Sequence, residues 1–95
     1  MSRPDLIIHD EKDNVGVVVI ETTKKGQDCS AWIMENDKTV KVPSSNDVPL
    51  GHKIALNDLK VGDTIFKYGH DIGKVVQEIK KGEHVHVHNV KTKKW

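Results

Sequence analysis

Asp58-Leu59-Lys60-Val61-Gly62-Asp63 and Glu78-Ile79-Lys80-Lys81-Gly82-Glu83 are two copies of one pattern, in which an acid, an apolar residue, lysine, glycine and a second acid fall in register. A looser copy runs from Thr22 to Gln27. Each lies between extended, β-branched sequence, so the glycine most simply supplies a turn conformation with positive φ that other residues resist. Strand, turn, strand units repeated in this way imply a compact sheet structure with many corners. Working outward, Val15-Gly16-Val17-Val18-Val19-Ile20 is too short for a typical helix and is bounded by Asp13-Asn14 and Lys24-Lys25-Gly26, which reads as a buried strand. Ala31 to Met34 and Thr39 to Val42 read as a hairpin around the turn formers Glu35-Asn36-Asp37-Lys38. Residues 43–49, rich in Pro, Ser, Asn and Asp, read as a loop. Val75, Val76 and Ile79 fit a helical stripe, but Gly73 and Gly82 confine it to about two turns. The expected fold class is all-β, with at most one or two short helical turns.

Size and charge narrow the function. A chain of 95 residues is expected to form a single domain over residues 1–95, with residues 1–5 loose. At that length folding buries roughly 60 to 65% of the unfolded surface, which suggests one core and not two. Fifteen basic residues against 14 acidic ones leave a net charge of +1, too weak a field to recruit nucleic acid or anionic lipid. Cys29 is the only cysteine, so no internal disulfide exists and a reducing cytoplasm is the expected location. Its simplest role is as a small packing residue. Leu6 to Ile8 is too short an apolar run for a signal peptide or a membrane span.

The reactive groups gather late in the chain. In His84-Val85-His86-Val87-His88, strand alternation points the imidazoles to one face, roughly 6.5 to 7 Å apart. That spacing suits a row of donors along a groove better than three ligands on one tetrahedral metal. A solvated strand face and an active-site rim in which a histidine moves protons both satisfy it. Leu50-Gly51-His52-Lys53-Ile54 places two donors and a backbone amide after glycine, in reach of an anion, or forms an ordinary surface turn. Lys67-Tyr68-Gly69-His70 adds a cation and a phenol, Tyr68 being equally at home partly buried with a satisfied hydroxyl. His9 and His70 lack a supporting pattern, and Trp95 reads as a packing anchor that is compatible with a homo-oligomer. Phosphate loops, zinc-finger spacings and nucleophile elbows are not in evidence.

Taken in order, Asp13-Asn14-Val15, Pro49-Leu50-Gly51-His52-Lys53-Ile54-Ala55-Leu56, Lys67-Tyr68-Gly69 with Ile72-Gly73, and Val85-His86-Val87-His88-Asn89 resemble one family. It is the small SAF-type domain of the altronate and galactarate dehydratases and the related sulfolactate sulfo-lyase. The resemblance spans about residues 6 to 95; the stretch from Lys24 to Asp47 carries no motif. It implies a β-clip fold, like that of type III antifreeze proteins, and a lyase role exerted with a larger partner. The ending Lys91-Thr92-Lys93-Lys94-Trp95 resembles that of small sulfo-lyase subunits, which favours the alpha subunit of a (2R)-sulfolactate sulfo-lyase giving pyruvate and sulfite. A small subunit of an altronate-type dehydratase and a noncatalytic sugar-acid-binding module are the alternatives.

Under that resemblance His52, His86 and His88 are the expected acid, base or metal-facing groups. Lys53, Lys67, Tyr68 and Asn89 are expected to hold a small carboxylic-acid substrate. A divalent metal, iron first among the choices, is the expected cofactor, with His86 and His88 as its ligands. His84 falls outside the closest part of the match and reads as exposed.

Overall fold

The structure, a computed structural model, describes residues 3–67, 70–86 and 88–92. Among these residues nine strands form: β1 (Leu6–Ile8), β2 (Val15–Val18), β3 (Asp28–Ile33), β4 (Lys38–Pro43), β5 (Lys53–Ala55), β6 (Thr64–Lys67), β7 (His70–Val75), β8 (His84–Val85) and β9 (Val90–Thr92). A six-stranded sheet runs β4-β3-β1-β2-β5-β8 and a three-stranded sheet runs β6-β7-β9. All pairings are antiparallel except β1 with β3. The expected hairpin is β3 and β4, with Asp37 at φ 54° in its turn. Among the described residues no helix forms, so the short helical turns allowed for by the sequence are replaced by hydrogen-bonded corners. None is therefore long and apolar enough to cross a membrane.

The repeated corners share one construction. Gly26, Gly62 and Gly82 have φ of 85°, 94° and 88°, the region that the third position of a type II turn requires. In each, the residue after glycine donates its amide to the lysine carbonyl, at 2.9 Å for Gln27, 2.9 Å for Asp63 and 3.0 Å for Glu83. The side chain of that same residue accepts the lysine amide, at 2.9, 2.8 and 2.6 Å. Hence the pattern needs an acid or amide at its last position. Leu59 and Ile79, at matching places in two copies, exchange amides with each other's carbonyls at 2.7 and 2.9 Å, which ties those corners back to back.

The single core expected from chain length is instead divided in two. Leu6, Ile8, Val18, Val42, Val48 and Ile54 belong to one buried cluster, and Val15, Ala55, Leu59, Ile65, Ile79 and Val85 to the other. Strand alternation is the cause: Ile54 and Ala55 are adjacent in β5 and both buried, and successive side chains point to opposite faces. A strand pair buried on both faces serves two thin cores at once. Asn14 joins the sheets, because its Nδ2 donates to Thr64 O at 2.8 Å and its Oδ1 accepts Phe66 N at 2.9 Å. That clamp fixes the strand that ends at Lys67.

Candidate active site

His52 arrives by a fourth corner. In Pro49-Leu50-Gly51-His52 the glycine has φ 86° and His52 N donates to Pro49 O at 3.1 Å, so histidine stands where the other corners place their capping acid or amide. Gly51 N donates to Val18 O at 2.9 Å. Both amides are thus engaged within the fold, and the exposed amide expected to greet an anion after Gly51 is not offered. Lys53 then enters β5 opposite Val17 on one side and Val85 on the other.

His84 comes to the same place by pairing. It lies opposite Ile54 across β5 and β8, and its amide donates to Asn46 Oδ1 at 2.9 Å. Asn46 is held by the 43–49 loop, where the buried hydroxyls of Thr23 and Ser44 both bond its carbonyl, at 3.1 and 2.6 Å. The loop expected from composition is therefore an ordered support for the site. The strand expected through His88 stops at Val85. Asn89 ends it: Oδ1 accepts His86 N at 3.0 Å and Nδ2 donates to His84 O at 2.7 Å. Asn89 is buried at 6% exposure, and both ends of its side-chain amide bond the backbone.

The result is a cluster in place of a row. His52 Nδ1 and His84 Nε2 share a hydrogen bond of 2.8 Å. The His86 ring stacks on His52 with centroids 3.9 Å apart and planes at 18°, and lies 5.7 Å from the His84 ring. The His88 ring stands 5.1 Å from that of His84 and is exposed. The expectation that His84 is merely exposed fails, since it is half-buried and at the centre of these contacts. Burial, then the neighbouring His52, His88 and His86, lowers its pKa from 6.5 to about 4. His86 is lowered by burial and then by His52, Lys53 and His88. Burial, and then the charge of Lys67 in the other sheet, lower the pKa of Lys53. His9, assigned no role from sequence, sits close enough to Lys67 and Asp13 to feel both: burial and Lys67 lower its pKa while Asp13 opposes them. Tyr68 lies outside the described residues.

Among the described residues, one group of three metal-ligating side chains is close enough to share an ion: His52, His84 and His86, each with a ring nitrogen within 4.8 Å of the others. Imidazoles are fitting donors for zinc or ferrous iron. Of the expected ligand pair, His86 belongs to this group and His88 does not. An open depression of about 600 Å³ adjoins the cluster, with Lys25, Asn46, Glu78, Glu83, His84 and His88 in its wall.

A family profile described as the altronate/galactarate dehydratase SAF domain matches residues 4–93. The chain belongs to this family. A (2R)-sulfolactate sulfo-lyase subunit alpha from Chromohalobacter salexigens is 50% identical over 91 residues, covering 96% of this chain and 97% of that protein. The protein of the same name from Paracoccus pantotrophus is 46% identical over 63 residues, 66% of this chain and 94% of the relative. An altronate dehydratase from Bacillus subtilis is 40% identical over 82 residues, which cover 86% of this SAF domain but 15% of the dehydratase. The expected family and all-β fold class both hold. Within the SAF domain, the contributions of His84, Asn46 and Asn14 were the ones sequence reading missed. For His84 a signal existed: it follows the Gly82 corner by one residue, as Lys53 follows the corner that ends at His52.

Proposed function

We propose that this SAF domain is the alpha subunit of a lyase that splits (2R)-sulfolactate into pyruvate and sulfite together with a separate large subunit. Sequence identity carries the reading: the sulfo-lyase alpha subunits of Chromohalobacter salexigens and Paracoccus pantotrophus are 50% and 46% identical to this chain, the Bacillus subtilis dehydratase 40%. A reducing cytoplasm suits the buried, unpaired Cys29.

The chemistry sets what the residues must do. A base removes the proton from C2, beside the carboxylate; the C–H electron pair forms the C2–C3 double bond and the C3–S bond breaks, sulfite leaving with its pair. The enol then gains a proton at C3 and loses its hydroxyl proton to give pyruvate. Sulfolactate is a dianion, and Lys53, whose charged form burial and Lys67 both disfavour, is suited to hold one of its anionic groups. A carboxylate or sulfonate beside Lys53 offsets that penalty, and partial burial strengthens the attraction. His52 and His86, stacked beside Lys53, are placed to take or return protons, with His88 at the rim of the depression. A divalent metal held by His52, His84 and His86 would supply Lewis-acid stabilisation of the developing negative charge, and His52 and His86 would then serve as its ligands and not as proton carriers. The second reading, an altronate-type dehydratase subunit, draws on the 40% identity to the Bacillus subtilis enzyme; there hydroxide leaves and a protonated acid is indispensable.

The test is co-purification with the large chain and measurement of sulfite release. The pair should release sulfite from (2R)-sulfolactate, with kcat/KM falling on the order of 100-fold or more in Lys53→Ala and His86→Ala. Dehydration of altronate without sulfite release, or near-unaltered turnover in both variants, overturns the assignment.

A further inference from the structure

We infer, resting on the two-subunit reading above, that Leu50, with Val19 beside it, is an apolar knob by which this chain docks on the large subunit, its histidine cluster turned toward that chain.

Each of the four corners is closed by a bond from its fourth residue to the carbonyl of its first: Gln27 N to Lys24 O, His52 N to Pro49 O, Asp63 N to Lys60 O and Glu83 N to Lys80 O. The second residue is therefore the tip, and Lys25, Leu50, Val61 and Lys81 hold that place. The two lysines show that the turn needs no apolar tip and that the fold leaves a charged one in water. Leu50 is nonetheless 60% exposed, a large aliphatic side chain held out into solvent. Of the two aliphatic tips, it is the one whose own corner ends in a histidine of the cluster.

A second apolar side chain adjoins it. Leu50 N donates to Glu21 O at 3.0 Å and Gly51 N to Val18 O at 2.9 Å. These bonds bracket Val19, itself 38% exposed. A single exposed Val or Leu is ordinary on a surface, whereas apolar neighbours beside a polar site mark a contact. The same bonds, the Gly51 conformation at φ 86° and the pairing of Thr22 with Pro49 hold the Leu50 backbone in place. A knob on a rigid turn loses little freedom on docking, which favours binding.

The site itself calls for a cover. The histidines border an open depression, and proton removal beside a carboxylate develops charge that fixed dipoles in a water-excluded site stabilise best. This chain does not enclose its own reacting groups, so the chain that does must seat on surface adjoining them. Leu50 stands two residues before His52, whose ring contacts His84 and His86. An apolar socket in the large chain that receives Leu50 and Val19 brings that chain over the cluster and expels water from its edge. A second copy of this chain fits less well, because two-fold pairing opposes identical patches and sets each histidine and lysine group against its own kind.

The experiment uses the full chain and the large chain of the sulfite assay, purified apart and mixed. Leu50→Lys copies the tips at Lys25 and Lys81, so the Tm of the isolated subunit should stay unchanged. Its Kd for the large chain should rise by at least roughly tenfold, the loss expected of an anchoring side chain in an interface. Val40→Lys, the same kind of change at a 40% exposed valine in the edge strand β4, should bind as the unaltered chain does. Sulfite release should return to the unaltered rate when Leu50→Lys is added in saturating excess, since Leu50 touches no reacting group. Unchanged Kd in Leu50→Lys, a larger loss in Val40→Lys, or turnover that stays low at saturation overturns the inference. So does self-association of the unaltered chain that Leu50→Lys abolishes, which makes a second copy the occupant. Should Leu50→Lys fail to fold, the unaltered chain decides: the large chain should shield the Leu50 and Val19 methyls, and not those of Val40, from a soluble paramagnetic agent, and the reverse overturns the inference. Absence of any complex with the unaltered chain removes the two-subunit reading and this docking surface together, whereas a productive complex indifferent to Leu50 removes the docking surface alone.

Discussion

Gly82→Ala and Gly62→Ala make the same chemical change in corners of the same construction, yet they should differ by about 2 kcal/mol. Both glycines have positive φ, 88° and 94°, and a non-glycine residue there costs about 1 to 2 kcal/mol. A loss of unfolded-state entropy offsets about 0.4 to 1 kcal/mol of that, so Gly62→Ala, whose Cβ meets nothing within 4 Å, should cost about 1 kcal/mol. At Gly82 the same Cβ meets the Pro43 carbonyl oxygen at 2.2 Å, and one of two backbone segments must move. The bonds at risk are Gly82 N to Ala55 O and Ser45 N to Gly82 O, both 2.8 Å. At about 1 kcal/mol each, their loss brings the total to roughly 3 kcal/mol or more. Urea unfolding of both variants gives the comparison directly. Converted at about 4 to 8 °C per kcal/mol, the gap of about 2 kcal/mol is on the order of 10 °C in Tm. Because Gly82 lies two residues before His84, Gly82→Ala should also disturb the His52–His84 pair. If the two variants unfold within about 0.5 kcal/mol of each other, the close approach to Pro43 is not a real constraint.

Asn89→Ala removes two hydrogen bonds and leaves His84 O and His86 N without their side-chain partner, so chemical denaturation should show a loss of about 2 to 3 kcal/mol; were Asn89 a substrate ligand, stability would hold and KM alone would rise. The pH dependence has a defined sign. His84 has a folded pKa of about 4 against 6.5, so the unfolded chain binds the proton more readily. Stability should therefore be full above about pH 6.5 and fall as pH drops toward 4. Thermal unfolding of the metal-free chain across that window, compared with His84→Gln, checks this: the variant should show a flatter profile, and an equally steep one would remove His84 as the cause.

Much of the fold was legible because its determinants are local. A glycine at the third position of a tight turn, with an acid or amide after it, needs no information from elsewhere, which is why the Lys24, Lys60 and Lys80 corners and the Glu35 to Lys38 hairpin turn could be read in advance. Hydrophobic runs such as Val15 to Val18 identified strands by the same local logic. They did not reveal that adjacent residues in β5 feed separate clusters, because whether a strand is covered on one face or two depends on what packs over it.

The histidines mark the boundary most clearly. Their identity, and the family to which the chain belongs, follow from residue order alone. Their arrangement does not. Alternation over His84 to His88 assumed an unbroken strand, whereas Asn89 reaches back to the His84 carbonyl and the His86 amide and turns the chain out of the sheet. The meeting of His52 with His84 depends on β5 and β8 aligning Ile54 with His84; a shift of one residue would send those side chains to opposite faces. Register is a collective outcome of two cores, four corners and a clamped loop, and so it was decided by the tertiary structure.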